Sequence, residues 1–113
     1  MPALAFMLPI VAGKELADRE AMERFTTEDK EQWDAAHRAL GVRRHAVWHQ
    51  ETPDGSVAIV LLEGDDLPAA MGAFATSQEP FFQNFRDAIR DLHGVDLAVD
   101  PPPKVQPVID SSF

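Results

Sequence analysis

Residues 43–63, RRHAVWHQETPDGSVAIVLLE, decide how this chain folds. Two apolar-rich segments flank Thr52-Pro53-Asp54-Gly55, and Asp-Gly ahead of a β-rich run is a strong hairpin signal. With Thr52 to Gly55 as the loop, Glu51 faces Ser56 and Arg44 faces Glu63. A two-residue Asp54-Gly55 loop shifts the pairs but keeps the faces. One face then carries Arg44, Ala46, Trp48 and Gln50 with Val57, Ile59, Leu61 and Glu63. The other carries His45, Val47, His49 and Glu51 with Ala58, Val60 and Leu62. Val57 to Leu62 is apolar at every position, the pattern of a strand buried on both sides.

Outward from the hairpin, residues 3–11 form another near-continuous apolar run and read as a buried strand. Pro9 donates no N–H, which places it near that strand's end or on a sheet edge. Residues 14–40 are helical in composition. Leu16, Met22 and Phe25 fall near one face, and Trp33, Ala36 and Leu40 continue it. Thr26 with Asp29 three residues on resembles a capping box, so the spacing predicts helices over 14–25 and 27–40, with Gly41 as the stop. Asp66 can cap the next helix, a short one over 67–75 with Pro68 in its first turn. Another helix follows from Pro80, with a Phe81-Phe85-Ile89 stripe, and His93-Gly94 ends it. Residues 95–99 read as a fourth strand. Pro101-Pro102-Pro103 is a stiff polyproline segment opening a polar tail.

The 113 residues make one domain over 1–99 with a Pro-rich C-terminal extension over 100–113. The chain has no cysteine, which excludes disulfides, thiolate metal sites and cysteine nucleophiles. Its formal net charge of -9 opposes nucleic-acid and anionic-membrane binding. The start, MPALAFMLPIVAG, lacks a basic segment and is too short to span a bilayer, so it reads as a strand and the protein as cytoplasmic.

The order strand, helix, strand, strand, helix, strand predicts an α+β, ferredoxin-like antiparallel sheet. Such a sheet has helices on one face only, yet both faces here are apolar. A second copy packed sheet to sheet is the simplest cover, so a homodimer is expected.

The run ending in Glu63, followed by Asp66, Ala70, Ser77, Phe81 or Phe82, and Phe85, resembles the signature of the dimeric α/β-barrel superfamily, in its antibiotic-biosynthesis-monooxygenase-like branch. Trp48-His49-Gln50 and His93 to Leu97 are similar to a small bacterial family within it. The resemblance implies two ferredoxin-like subunits closing into a barrel, with a ligand between sheet and helices. It also implies a glutamate closing the third strand. Many relatives carry two histidines on the second helical segment, where this chain has Ala73-Phe74 and Glu79-Pro80.

Few side chains could carry chemistry. His45 and His49 share a face but stand roughly 13 Å apart, too far to chelate one metal. His49 and Glu51 could pair. Arg44 and Glu63 face each other, either as a cross-strand ion pair or with Glu63 as a pocket carboxylate acting as base. Trp48 and Trp33 read as core, His37 as exposed, and His93 as a helix C-terminal residue. No Gly-rich phosphate loop, Ser-His-Asp order or zinc spacing occurs, so neither a metal nor a cofactor is expected. Trp48, Glu63, Phe74, His45 and His49 are the candidate pocket residues. Two functions fit: a small dimeric protein binding or transforming a small apolar organic molecule, as a cofactor-independent monooxygenase does, or a non-catalytic dimeric protein-interaction module. An enclosed cavity between sheet and helices favours the first, and a filled interface the second.

Overall fold

The hairpin forms at the expected turn. In the computed structural model, which describes residues 2–100 and 105–113, β2 (Val42–Thr52) pairs antiparallel with β3 (Gly55–Gly64), Thr52 opposite Gly55 and Arg44 opposite Glu63. Gly55 takes φ +122°, open to glycine at no steric cost, and Asp54 N–H donates to Thr52 Oγ1 at 3.2 Å. The other side of β3 pairs with β1 (Ala3–Pro9), from Ala3 opposite Glu63 to Pro9 opposite Val57. The sheet order is β1-β3-β2, so the all-apolar strand is central. Pro9 is the last residue of an edge strand, where its missing N–H interrupts no ladder.

Four helices pack on one face: α1 (Glu15–Thr26), α2 (Lys30–Ala39), α3 (Leu67–Thr76) and α4 (Pro80–His93). Burial along β3 alternates accordingly. Ala58, Val60 and Leu62 are buried under the helices, and Val57, Ile59 and Leu61 are half-buried on the other face. Phe6, Leu8, Phe74, Phe82, Phe85 and Ile89 fill the space between sheet and helices. Asp66 caps α3, its side chain accepting from Ala69 N–H at 3.1 Å. Gly94 ends α4 in the left-handed region at φ +69°. The architecture is α+β with the ferredoxin-like order, carried by three antiparallel strands. Among the described residues no helix is long and apolar enough to cross a membrane.

Several expectations change. The fourth strand is absent among the described residues, since Val95 to Asp100 make turns. Asp96 is the reason. Its side chain accepts from Ala98 N–H at 3.0 Å, and its carbonyl accepts from Val99 and Asp100. The capping box is not made either: Thr26 and Thr27 hydroxyls donate back to Met22 and Glu23 carbonyls at 2.9 and 2.7 Å, closing α1. On α1, Leu16 is exposed and Asp18 takes the buried place beside Ala21. The tail over 105–113 has no regular structure and is exposed, with Val105 lining an open cleft alongside Ala5, Met7 and Ile59. The polyproline reading of Pro101 to Pro103 lies outside the described residues.

Candidate functional site

All four histidines lie on the helix-covered side of the sheet, in two clusters. The first begins on α2. Trp33 and His37 are four residues apart and so share a helix face. His37 Nδ1 donates to the Trp33 carbonyl at 2.7 Å, because a carbonyl oxygen can only accept. Burial pushes His37 below its ordinary value, opposed by the backbone hydrogen bond to Trp33 and the charge of Asp34. The ring is therefore neutral near pH 7, and its Nε2 carries a lone pair. His45 Nδ1 lies 2.9 Å from that atom and must donate to it. Burial, with the charge of His37 second, pushes His45 down to about 3. His45 Nε2 is thus an unprotonated acceptor, and it makes no hydrogen bond within the described residues.

Aromatic rings fix the pair. Trp33 stacks on His45 with centroids 5.0 Å apart at 24°, and lies 4.3 Å from His37. Phe74 and Phe85 present edges to His45 at 6.4 and 6.3 Å. A cleft of about 290 Å³ opens here, lined by Trp33, His37 and His45 together with Lys30, Arg38 and Arg43.

The second cluster is closed. Asp18, only 1% exposed, accepts from His49 Nε2 at 2.6 Å and pairs with His93 Nε2 at 3.0 Å. His93 Nδ1 donates to the Pro9 carbonyl at 2.8 Å. Burial alone would raise the Asp18 carboxyl, but hydrogen bonds and charge from His93 and His49 hold it below its ordinary value. With Asp18 ionised, His93 sits between two acceptors, the Pro9 carbonyl at Nδ1 and the carboxylate at Nε2. His49 Nδ1 is buried without a partner. This group ties α1, β2 and the end of α4 to the end of β1, a structural clamp with no room for a ligand.

The expected pocket residues therefore separate. His45 and Phe74 meet beneath the helices. His49 lies on the same face but pairs with Asp18 rather than Glu51. Trp48 and Glu63 are on the opposite face, where Trp48 is 48% exposed and Glu63 meets Arg44 at 3.7 Å as a cross-strand ion pair. The interior that was to hold an apolar ligand is packed with phenylalanines, and the larger cleft, about 640 Å³, opens between α2 and the α3–α4 pair instead. His37, read as exposed, is buried: the charged residues around it on α2 hide its spacing of four from Trp33. Asp18 was missed outright, although it stands four residues before Met22 and seven before Phe25 on an apolar stripe. Among the described residues, no three His, Asp or Glu side chains are placed to hold a metal.

No family model matches the chain, and no curated protein does. Among solved structures, the crystal structure of an L-rhamnose mutarotase from Formosa agariphila is similar, with TM-score 0.61 and 16% sequence identity over 97% of this chain and 100% of that one. At that identity the likeness is one of fold. It supports the ferredoxin-like architecture and does not bear on the monooxygenase-like branch.

Proposed function

We propose that the protein binds or transforms a small organic molecule at the cleft over His45, as a cytoplasmic homodimer closed across its bare sheet face. The supporting observation is the relay from the Trp33 carbonyl through His37 to His45. It fixes both tautomers and leaves His45 Nε2 as a pre-oriented acceptor among aromatic rings. Such an atom suits a ligand hydroxyl. The neighbour's name, a sugar mutarotase, supports the same class of small hydroxylated molecule. A cofactor-independent oxygenase must deprotonate its substrate, and a ring held down to about 3 is a weak base for that step. Recognition, or proton shuttling between hydroxyl groups, is the better-supported reading.

The uncovered face supports the dimer. Met7 is 57% and Trp48 48% exposed there, beside half-buried Ile59 and Leu61. The patch is apolar at its centre with Arg44 and Glu63 at one end, so a two-fold axis lets it cover itself. A second reading, a non-catalytic module docking a partner protein on its helices, is supported by the filled interior and the apolar cleft between α2 and α3–α4.

The test is a nuclear magnetic resonance titration of the intact protein with L-rhamnose, other monosaccharides and simple phenols. Saturable shifts at the His45 and His37 rings, abolished by His45→Phe, are expected. Ligands that move only Ala35, Ala39 and Ala73, in the other cleft, would reject the His45 site.

A further inference from the structure

The cleft at the His45 relay carries a charge opposite to that of the whole chain. The sequence has ten Lys and Arg against nineteen Asp and Glu. Four of those ten cations, Lys30, Arg38, Arg43 and Arg44, line this cleft of about 290 Å³, and Asp34 is the acid among its lining residues.

A β-bulge sets the position of one of them, Arg43. The pairing of β2 with β3 slips between Val42 and Arg44, leaving Arg43 as the extra residue. In an unbroken ladder Val42 and Arg44 would share a face. With the bulge, Val42 stays buried in the core while Arg43 and Arg44 are both exposed. Bulges of this kind re-aim side chains next to functional sites. Arg43 is steadied by Asp65, through Nε at 3.3 Å and Nη2 at 3.2 Å. Arg44 meets Glu63 loosely, and Lys30 meets Asp34 at 2.7 Å. The basic partners in these pairs are more than half exposed, where an ion pair contributes little and is readily shared. A guanidinium has five N–H donors, so Arg43 keeps donors for a ligand.

We infer that the cleft takes a hydroxylated organic anion, with a carboxylate or phosphate on Arg43 and Arg38 and a hydroxyl on His45 Nε2. The inference rests on the proposed His45 site and adds the charge of its ligand. Elsewhere the acidic surface repels small anions, so a local reversal of sign selects for them at this one cleft. Cationic donors line the rim beside Asp34, and the His45 ring nitrogen accepts. A neutral hydroxylated molecule can hydrogen-bond at both but forms no ion pair with the rim.

Glucose, glucuronate and glucose 6-phosphate form a matched set of probes for the intact protein, read by calorimetry and by the His45 ring signals. At least one anion should bind ten-fold or more tightly than glucose, with a margin that shrinks as salt is raised. The margin should vanish in the Arg38→Gln, Arg43→Gln double variant with its circular dichroism unchanged. Glucuronate alone would identify a carboxylate ligand, and glucose 6-phosphate alone a phosphate ligand. If glucose shifts His45 as strongly as the anions do, the charge inference fails and the His45 site stands. If an anion binds without moving His45, both fail. No saturable binding of either anion at millimolar concentration overturns the inference.

Discussion

Replacing Asp18 by Asn tests the buried clamp with the smallest possible change of shape. The wild-type carboxylate accepts from two ring nitrogens, at 2.6 Å from His49 and 3.0 Å from His93, and is 1% exposed. Asparagine offers one carbonyl oxygen and one NH2 group. The oxygen can serve only one of the two rings, the NH2 group faces the other, and the buried site loses its negative charge. Breaking a buried pair on one side costs about 3–5 kcal/mol. Domains of this size have about 5–15 kcal/mol in all. With a urea slope of about 2 kcal/mol per molar, the midpoint should fall by about 2 M. The carboxyl also sits below its unfolded value of 3.8, so its stabilisation is present above that pH and is lost as pH falls through the folded value. The variant should lack that acid limb. A midpoint shift of under about 0.5 M, equivalent to about 1 kcal/mol, would refute the clamp.

Three further outcomes are expected. His45 titrates at 6.5 when unfolded and about 3 when folded, so the unfolded chain binds more protons between those values. Urea midpoints should therefore fall on acidification through that window, by up to about 1.4 kcal/mol per pH unit, and fall less steeply in His45→Phe. Gly64→Ala should lower the melting temperature, since its Cβ would sit 2.7 Å from the Gly41 carbonyl oxygen and 3.1 Å from Val42 Cα, both backbone; overpacking of this kind costs about 1–3 kcal/mol. Light scattering should give twice the 12.5 kDa of one chain, and Ile59→Lys, on the bare face, should shift it to one.

What could be read from the sequence was what local pattern determines. Asp-Gly before an apolar run set the hairpin, and period-two alternation put His45 and His49 on one face and Trp48 and Glu63 on the other, as the pairing of β2 with β3 has it. Asp66 and Gly94 likewise act as local signals. Residues 95–99 have strand composition, but Asp96 offers the backbone a turn that satisfies it locally. The bulge at Arg43 has no composition signal, since only the pairing with Gly64 and Glu63 defines it. Both histidine clusters are tertiary. Asp18 and His93 are 75 residues apart, and nothing near Asp18 in sequence announces its partner. His37 and His45 are close in sequence, yet their contact needs α2 to turn back over β2 at Gly41, with φ +69°.

The protonation of the His45 relay decides whether the proposed site exists, and a long-range proton–nitrogen correlation spectrum of the ring nitrogens reads it directly. Near neutral pH, His37 and His45 should both appear as the neutral tautomer protonated at Nδ1, with His45 Nε2 bare. A His45 ring protonated at Nε2, or at both nitrogens, would remove the free acceptor and with it the proposed site.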